Sequence, residues 1–250
     1  MNLKGKKQKK IGLITGSTSG LGKAVAEYLA HQGFFVGING RDYEKTKKIS
    51  DENSHYFPLA FDTTDFAACL SSAQKLSDMF GEIDFIICNV GGGSIPKNYS
   101  KQQRIEIMIK LNLISAYNVV EAFESKLKDF YGQIIVISSI ATSGKTDAPI
   151  EYVVAKSALN SYGMFKSKIL SQRGVTVNLV SPGNLMFPGS VWDSRLRSNP
   201  DTTLDYIKSR VPLGRFIDPI EIAELIHYLL ERNMPNATGN NFIVDGGQSL

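Results

Sequence analysis

Three side chains in the second half of the sequence have the types and the spacing of a proton-transfer site. Tyr152 and Lys156 stand four residues apart in EYVVAKSALN, and Ser139 precedes the tyrosine by thirteen positions. On a helix, residues i and i+4 share a face, so we expect the ammonium to lower the Tyr pKa from about 10. Tyr152 would then act as a general acid or base near neutral pH. By itself, such a pair is equally a surface tyrosine beside a lysine stem.

A glycine-rich turn near the N-terminus has the setting of a phosphate-binding site. The segment TGSTSGLG, residues 15–22, directly follows an apolar run and opens a helical pattern. Gly16 suits a tight turn, and Gly20 and Gly22 would let a pyrophosphate approach the free N–H groups of a helix N-terminus. The glycine spacing is G-x-x-x-G-x-G. Strand, turn and helix in this order predict a dinucleotide site, although an ordinary strand-to-helix connection has the same order.

The composition is that of a globular protein without a nucleic-acid-binding face. Apolar residues make up 42% and charged residues 21% of 250 positions, a length that suits one domain. Five of the 28 basic residues lie in the first ten positions: Lys4, Lys6, Lys7, Lys9 and Lys10. The remaining basic residues nearly balance the 24 acidic ones. We therefore expect no nucleic-acid partner and interpret the lysine-rich start as a solvated lead-in.

The two cysteines and the lengths of the apolar runs indicate the cellular compartment of the protein. Cys69 and Cys88 form no CxxC pair, which suits a reducing compartment, and we predict no metal site. No secretory apolar segment follows the lysines, and no apolar run has membrane-spanning length. The sequence thus predicts a cytoplasmic protein with no membrane partner.

Apolar runs alternate with helical patterns along the chain. Strands are expected at 11–15, 34–39, 56–61, 85–89, 133–138, 175–180 and 241–244. Helices are expected near 20–32, 42–52, 65–80, 101–129, 151–172 and 218–232. This alternation predicts an α/β fold: a doubly wound parallel sheet of about seven strands with helices on both faces. The stretch from 181 to about 203 contains three prolines and is predicted to be irregular, as a lid or a disordered segment.

The candidate groups all follow strand ends. They lie in residues 15–22, 89–93, 138–139 and 181–183. In such sheets, ligands bind beyond the carboxyl ends of the strands at the topological switch point. We therefore expect these segments to meet at one edge of the sheet.

With these residues described, the sequence resembles the short-chain dehydrogenase/reductase family from about residue 4 to residue 247. The resemblance rests on TGSTSGLG, Asp62 in FDTTD, CNVGG, Asn112 in KLNLISA, Ser139, the Tyr152/Lys156 pair, Pro182-Gly183 and TGNNFIVDGG. The chain is similar to 3-oxoacyl-[acyl-carrier-protein] reductases within that family. The resemblance implies a single Rossmann-like domain over residues 1–250, a nicotinamide cofactor, and a homotetramer or homodimer.

The resemblance also assigns roles to four catalytic residues. Tyr152 would donate a proton to a carbonyl oxygen as hydride arrives, and Ser139 would hydrogen-bond that oxygen. Lys156 would hold the nicotinamide ribose and lower the Tyr152 pKa. Asn112 would anchor a water that links Lys156 to solvent. Taken singly, Asn112 is as well explained as a surface polar residue, and Ser139 as a strand-end cap.

The end of the second predicted strand favours NADP(H), with NAD(H) possible. Gly40 occupies the position where NAD-specific relatives carry an aspartate that binds the adenosine ribose. Arg41 follows and could pair with a 2′-phosphate. Alternatively, Arg41 pairs on the surface with Asp42 or Glu44.

The remaining cofactor contacts follow from the resemblance. The predicted set is Gly16, Ser17, Thr18, Ser19, Gly20, Leu21, Gly22, Arg41, Asp62, Thr63, Asn89, Val90, Gly91, Tyr152, Lys156, Pro182, Gly183 and Leu185. Three positions depart from the family pattern: Cys88 and Val90 replace an Asn and an Ala, and Phe187 replaces a Thr that contacts the carboxamide. Leu185 could still supply a backbone contact, and none of these changes removes a group that does the chemistry.

The substrate pocket is expected to be closed by residues 184–211, 93–98 and 141–150. The lid segment, residues 184–211, carries apolar side chains and two arginines: Met186, Phe187, Val191, Trp192, Arg195 and Arg197. Apolar walls with a few charges suit a ketone that bears an anionic group. An amphipathic lid helix with solvated arginines explains the same residues equally well.

The resemblance implies an NADP(H)-dependent oxidoreductase that interconverts a ketone and a secondary alcohol by hydride transfer, with Tyr152 as the acid or base. A second reading is a dehydrogenase of a sugar-derived intermediate. A third reading, a non-catalytic NADP(H)-binding regulator, is disfavoured because the chain retains all four catalytic-type residues.

Overall fold

The computed structural model describes residues 9–94, 98–232 and 234–250. Outside these ranges lie three of the lead-in lysines (Lys4, Lys6 and Lys7) and residues 95–97 of the expected pocket wall. Within the described ranges, no helix combines the length and the apolar character needed to cross a bilayer.

The lysine-rich start of the chain is predicted to be solvated, but its last residue, Lys10, is bonded to the body of the protein. The Lys10 ammonium donates hydrogen bonds to the Leu230 carbonyl oxygen and to the Gln133 side chain. Burial lowers the pKa of Lys10. The described start of the chain is therefore fastened to the end of the sheet opposite the predicted ligand-binding edge.

The strands form one seven-stranded sheet in which every pair is parallel, which confirms the predicted fold class. They are β1 (Ile11–Ile14), β2 (Phe35–Gly40), β3 (Tyr56–Ala60), β4 (Phe85–Cys88), β5 (Gln133–Ile137), β6 (Thr176–Pro182) and β7 (Asn241–Val244). The order across the sheet is β3-β2-β1-β4-β5-β6-β7. The winding thus reverses between β1 and β4, and the crevice beyond their carboxyl ends is the switch point.

Helices cover both faces of this sheet. They are α1 (Gly20–His31), α2 (Tyr43–Ser50), α3 (Phe66–Phe80), α4 (Lys101–Ile109), α5 (Ser115–Phe123), α6 (Ile150–Leu170), α7 (Val191–Ser198), α8 (Pro200–Arg210) and α9 (Pro219–Arg232). Alternate strand residues point to opposite faces, so Leu13 joins the core under α3 and α5 while Ile14 joins the core under α1 and α9. This double burial explains the unbroken apolar strands.

One sequence expectation about helices is wrong, and a second is correct in its approximate extent but misses a change of helix type. The stretch predicted to be irregular contains α7 and the start of α8, because Ser190 caps α7 by accepting a hydrogen bond from the Asp193 N–H, and Pro200 sits at the first turn of α8. The helix expected over 101–129 ends at Phe123 and is interrupted by a π-helical turn, Lys110–Ile114. Both differences lie beside the switch point, where they shape the site.

Candidate active site

Tyr152, Ser139 and Lys156 meet where β5 ends and α6 passes over it. Ser139 follows β5, and its hydroxyl oxygen accepts a hydrogen bond from the Ala141 N–H at 3.1 Å. Ser139 neighbours the Tyr152 hydroxyl and acts to lower the pKa of the phenol. Since the Ser139 oxygen already accepts from the backbone, its own hydrogen is free to be donated toward the phenol or toward a bound carbonyl oxygen.

Lys156 is buried beneath this pair, with 2% of its surface exposed. Its ammonium donates a hydrogen bond to the Ile137 carbonyl oxygen at 2.8 Å, at the end of β5. Burial lowers the pKa of Lys156 to about 8, because a charge is disfavoured away from water. The lysine can therefore gain or lose a proton close to neutral pH.

The expectation that Lys156 lowers the pKa of Tyr152 is wrong for the protein by itself. Burial raises the pKa of Tyr152 and outweighs the effect of Ser139, which lowers it. The ammonium lies 5.9 Å from the centre of the phenol ring and is hydrogen-bonded to the strand end. Tyr152 is consequently a protonated phenol at neutral pH, which suits a proton donor.

Asn112 is held inside the π-helical turn and is fully buried. Its side-chain oxygen accepts a hydrogen bond from the Gly92 N–H at 2.9 Å, and its amide donates to the Gly92 carbonyl oxygen at 3.0 Å. The interpretation of Asn112 as a surface residue is thus wrong. A Cβ added to Gly91 would lie 2.7 Å from the Asn112 oxygen and 3.1 Å from the Lys156 nitrogen, so the strand-end glycine separates these two polar groups.

The glycine turn is fixed by polar side chains from the turn itself, from β2 and from the residue that follows β4. Ser17 is fully buried, and its hydroxyl donates to the Ile14 carbonyl oxygen and accepts from the Asn39 N–H. The Asn39 side chain accepts from the Gly16 N–H at 3.1 Å and donates to the carbonyl oxygens of Leu59 and Phe61 at the carboxyl end of β3. The Asn89 amide donates to the carbonyl oxygens of Thr15 and Gly16. These bonds hold the turn open over the switch point.

The N-terminus of α1 fits an anionic group. Ser19 precedes this helix, and among the described residues its side chain makes no capping hydrogen bond. The caps of α2 and α3, Asp42 and Asp65, do make such bonds. The first N–H groups of α1 therefore remain available to a ligand, and the dipole there favours negative charge.

A cavity of about 700 Å³ extends from this turn across the ends of β2 and β3. Ten of the predicted contacts line it: Gly16, Thr18, Ser19, Leu21, Arg41, Asp62, Thr63, Asn89, Val90 and Gly91. Arg41 forms no ion pair with any described residue, so the alternative pairing with Asp42 or Glu44 is not found. Burial raises the pKa of Asp62, but hydrogen bonds from Thr64 and the charges of Arg41 and Lys110 hold it below its usual value.

Gly40 is packed too tightly to carry a side chain. A Cβ at this position would lie 2.7 Å from the Thr18 methyl carbon and 2.9 Å from the Thr46 hydroxyl oxygen. Real Cβ atoms do not approach so closely, so a carboxylate at residue 40 would displace the glycine turn.

Two further cavities meet at Tyr152. One of about 160 Å³ lies toward the first cavity and is lined by Leu21, Asn89, Gly91, Ser139, Tyr152, Lys156, Pro182, Gly183 and Leu185. The other, of about 400 Å³, opens under α7 and α8. Ser139, Tyr152, Gly183 and Leu185 line both. A ligand that extends from the first cavity would thus end beside the Tyr152 hydroxyl, with a second compartment facing it.

Three predicted cofactor contacts, all in the glycine turn, lie outside the lining of these cavities. Ser17 is turned into the protein, as described above. Gly22 lies in the first turn of α1, where a Cβ would meet the Asn89 amide and the Gly16 carbonyl oxygen at 2.5 Å each. Gly20 is covered by the Phe187 ring, whose nearest carbon would lie 2.9 Å from a Cβ at that position.

Comparison with known proteins decides the family. A family model described as enoyl-(acyl carrier protein) reductase matches residues 16–249. The chain belongs to the short-chain dehydrogenase/reductase family. As a member of it, the chain is an oxidoreductase that acts on CH–OH groups with NAD(P).

Curated relatives and a solved structure agree with this assignment. The chain is 29% identical to 3-oxoacyl-[acyl-carrier-protein] reductase FabG of Escherichia coli K12, over 100% of both chains. It is 30% identical to (2S)-[(R)-hydroxy(phenyl)methyl]succinyl-CoA dehydrogenase subunit BbsD of Thauera aromatica, over 97% of this chain and 98% of that one. L-sorbose reductase of Gluconobacter frateurii, solved with NADPH and L-sorbose, superposes with a TM-score of 0.85 at 21% identity, covering 97% of each chain.

Sequence reasoning missed several residues of this dehydrogenase/reductase site. Lys110 lines the first cavity from the π-helical turn, and no helical periodicity marks it. The sequence predicts Asn39 only as a strand residue, and no motif marks its side chain as a partner of the glycine turn. Gln248 lines the second cavity from the C-terminal segment and accepts a hydrogen bond from Asn184 at 2.8 Å. Asn160 accepts a hydrogen bond from Ser138, beside Ser139.

Proposed function

We propose that this enzyme reversibly reduces a ketone to a secondary alcohol with NADP(H), and that Tyr152 is the proton donor. One observation carries the proposal: Tyr152 and Ser139 together line both the cavity of about 160 Å³, which we call the cofactor-side cavity, and the second cavity. A nicotinamide ring bound in the cofactor-side cavity would supply or accept the hydride. Ser139 would hold the carbonyl oxygen beside the phenol and stabilise the charge that develops on it.

The protonation states support reduction at neutral pH. The raised pKa of Tyr152 keeps its proton in place until the carbonyl oxygen gains negative charge. Lys156, with a pKa of about 8, can supply a proton to the site and exchange it again. Asn112 would fix the far end of this proton path, because its side-chain oxygen and the Lys156 nitrogen both lie close to Gly91.

The preference for NADP(H) is supported by charge at the first cavity. The guanidinium of Arg41 and the ammonium of Lys110 both act on Asp62, so both lie near the end of that cavity. Neither has a carboxylate partner in an ion pair within the described chain. Two cations and no carboxylate at residue 40 suit a 2′-phosphate better than a free ribose diol.

Two substrate classes merit testing. Relatives named as 3-oxoacyl-[acyl-carrier-protein] reductases favour a 3-oxoacyl thioester. A sugar-derived ketone or alcohol is the second candidate, because the second cavity presents several hydrogen-bonding side chains: Ser94, Thr146, Asn184 and Gln248. Residues 184–211 would form the lid over either substrate.

We also propose that the chain is a single cytoplasmic domain that assembles as a homotetramer or a homodimer. Exposed apolar side chains along α6, at Val154, Phe165 and Ile169, give such an assembly a surface to bury.

The test is turnover with NADPH and with NADH on acetoacetyl thioesters and on sugar-derived ketones, for the wild type and for Tyr152→Phe. We expect faster turnover with NADPH, and a loss of about 100- to 10,000-fold in Tyr152→Phe with NADPH binding retained. Tyr162→Phe is the matched control, because that hydroxyl donates to Glu121 and Tyr162 lines none of the three cavities described above. Cofactor binding without turnover by any of these proteins would instead favour the regulator.

A further inference from the structure

Two arginines of α7 lie two residues apart in different surroundings. Arg197 is 72% exposed, and its guanidinium binds both carboxylate oxygens of Asp193 at 3.0 Å. Arg195 lines the second cavity. Within the described part of the chain it makes neither an ion pair nor a side-chain hydrogen bond. Both side chains are exposed to solvent, but one guanidinium is neutralised by a carboxylate, while the other presents an unpaired charge to the cavity that also holds Tyr152.

Arg195 is supported by an aromatic cluster. Its guanidinium carbon lies 4.8 Å from the centre of the Trp192 ring. Trp192 in turn contacts Tyr206 at 5.2 Å and Phe216 at 5.6 Å between ring centres. Stacking on a fixed indole restricts the guanidinium but leaves its N–H edges free. Much of the entropy that a flexible cation loses on binding a ligand is therefore already lost.

The other charged group that lines the second cavity is Asp147. No ion pair joins Asp147 to Arg195 or to another described residue. The two charges therefore form no contact ion pair, and one acidic and one basic side chain line the cavity. The remaining polar lining, which includes Ser94, Thr146 and Gln248, is uncharged.

We propose that Arg195 is a substrate-binding residue that holds an anionic group, a carboxylate or a phosphate, at the end of the substrate remote from its carbonyl. The guanidinium edge matches either group in a bidentate geometry. Ser139 and Tyr152 would hold the carbonyl oxygen at the other side of the same cavity of about 400 Å³. This inference rests on the proposed function for its geometry and adds to it a class of substrate.

The kinetic test uses linear methyl-ketone acids of increasing chain length, each paired with its methyl ester, and dihydroxyacetone phosphate paired with dihydroxyacetone. We expect the wild type to prefer one length of acid, or the phosphate, over its neutral partner. In Arg195→Ala, KM for that anion should rise about 10- to 100-fold, since one charge-assisted contact is lost, while KM for the neutral partner stays unchanged. Arg195→Lys should recover part of the affinity, and Arg197→Ala, the matched control, should behave as wild type. The acid and phosphate arms distinguish the two sources of negative charge.

Binding gives a readout that does not need turnover. Trp192 is the only tryptophan of the chain and lies under Arg195, so its fluorescence should change when the anion binds to wild type, and not in Arg195→Ala. If wild type turns over neutral ketones and acids equally, or if Arg195→Ala weakens both partners alike, Arg195 serves only packing and the proposal fails. If no ketone is turned over, the proposed function fails, and the fluorescence titration still decides whether Arg195 binds the anion.

Discussion

Lys156 and Tyr152 share one face of α6, yet the ammonium nitrogen lies 5.9 Å from the centre of the phenol ring and donates its hydrogen bond to the end of β5. Burial therefore acts on the two groups in opposite directions. It lowers the pKa of the lysine to about 8 and raises that of the tyrosine, because in each case the charged form is the one disfavoured.

The first prediction is a pH dependence with a defined sign. Below a pH of about 8, Lys156 in the free enzyme is protonated, and above it the proton is lost. We expect kcat/KM for ketone reduction, which reports the free enzyme, to be level below that pH and to fall above it. Alcohol oxidation should rise over the same range. Lys156→Arg keeps the charge and should move the inflection to higher pH, and an unchanged inflection in that variant would assign it to another group.

The second prediction concerns the glycine between Asn112 and Lys156. A Cβ at residue 91 would press on the Asn112 oxygen at 2.7 Å and on the Lys156 nitrogen at 3.1 Å, whereas a Cβ at residue 92 would meet no described atom within 4 Å. Gly91→Ala should lower kcat by about 100-fold through displacement of these groups, and Gly92→Ala should lose far less. Steady-state kinetics on both variants, with melting temperatures to verify folding, make the comparison. Equal losses of kcat in the two variants would mean that the proton path does not pass between Asn112 and Lys156 at Gly91.

The third prediction concerns cofactor choice. Arg41→Ala should raise KM for NADPH by about 10- to 100-fold, since a charge-assisted contact is lost, and leave KM for NADH unchanged. Gly40→Asp should weaken both cofactors instead of creating NAD specificity, because the new Cβ would collide with Thr18 and Thr46. Gly40→Ala adds the Cβ without the charge, so it separates the effect of the collision from that of the carboxylate. It should also weaken the binding of both NADPH and NADH. A Gly40→Asp variant that binds NADH well would show that the glycine turn can move.

The fourth prediction concerns the support of Ser139. Asn160 accepts a hydrogen bond from Ser138 and donates one to the Thr142 hydroxyl at 3.2 Å, and that hydroxyl donates to the Ser139 carbonyl oxygen at 3.1 Å. Asn160→Leu keeps the number of side-chain heavy atoms but removes the acceptor of the Ser138 hydroxyl and the donor to the Thr142 hydroxyl. We expect a loss of about 1–3 kcal/mol in the free energy of unfolding and a lower kcat at unchanged NADPH affinity. Ser161→Ala, on the exposed side of α6, is the control. A variant that loses stability but keeps kcat would limit Asn160 to a structural role.

The sequence by itself was sufficient to predict the fold class and the family. Every predicted strand is present with its boundaries shifted by at most two residues, because a sheet buried on both faces leaves unbroken apolar runs between polar turns. The motifs stand in the right order after those strands, and order alone brings them to one sheet edge. The lid segment is predicted wrongly, because its prolines and glycines indicate irregular structure, whereas Ser190 and Pro200 begin helices there.

Only the tertiary structure decided how the side chains at that edge behave. Spacing placed Lys156 on the same helix face as Tyr152, but the hydrogen-bond partner of the ammonium, and the burial that sets both pKa values, depend on β5 beneath the helix. Likewise, Arg195 and Arg197 are indistinguishable in the sequence, and the packing of α7 against Tyr206 and Phe216 separates them. Local spacing fixes which residues share an element, whereas desolvation and charge pairing depend on whatever other part of the chain packs against them.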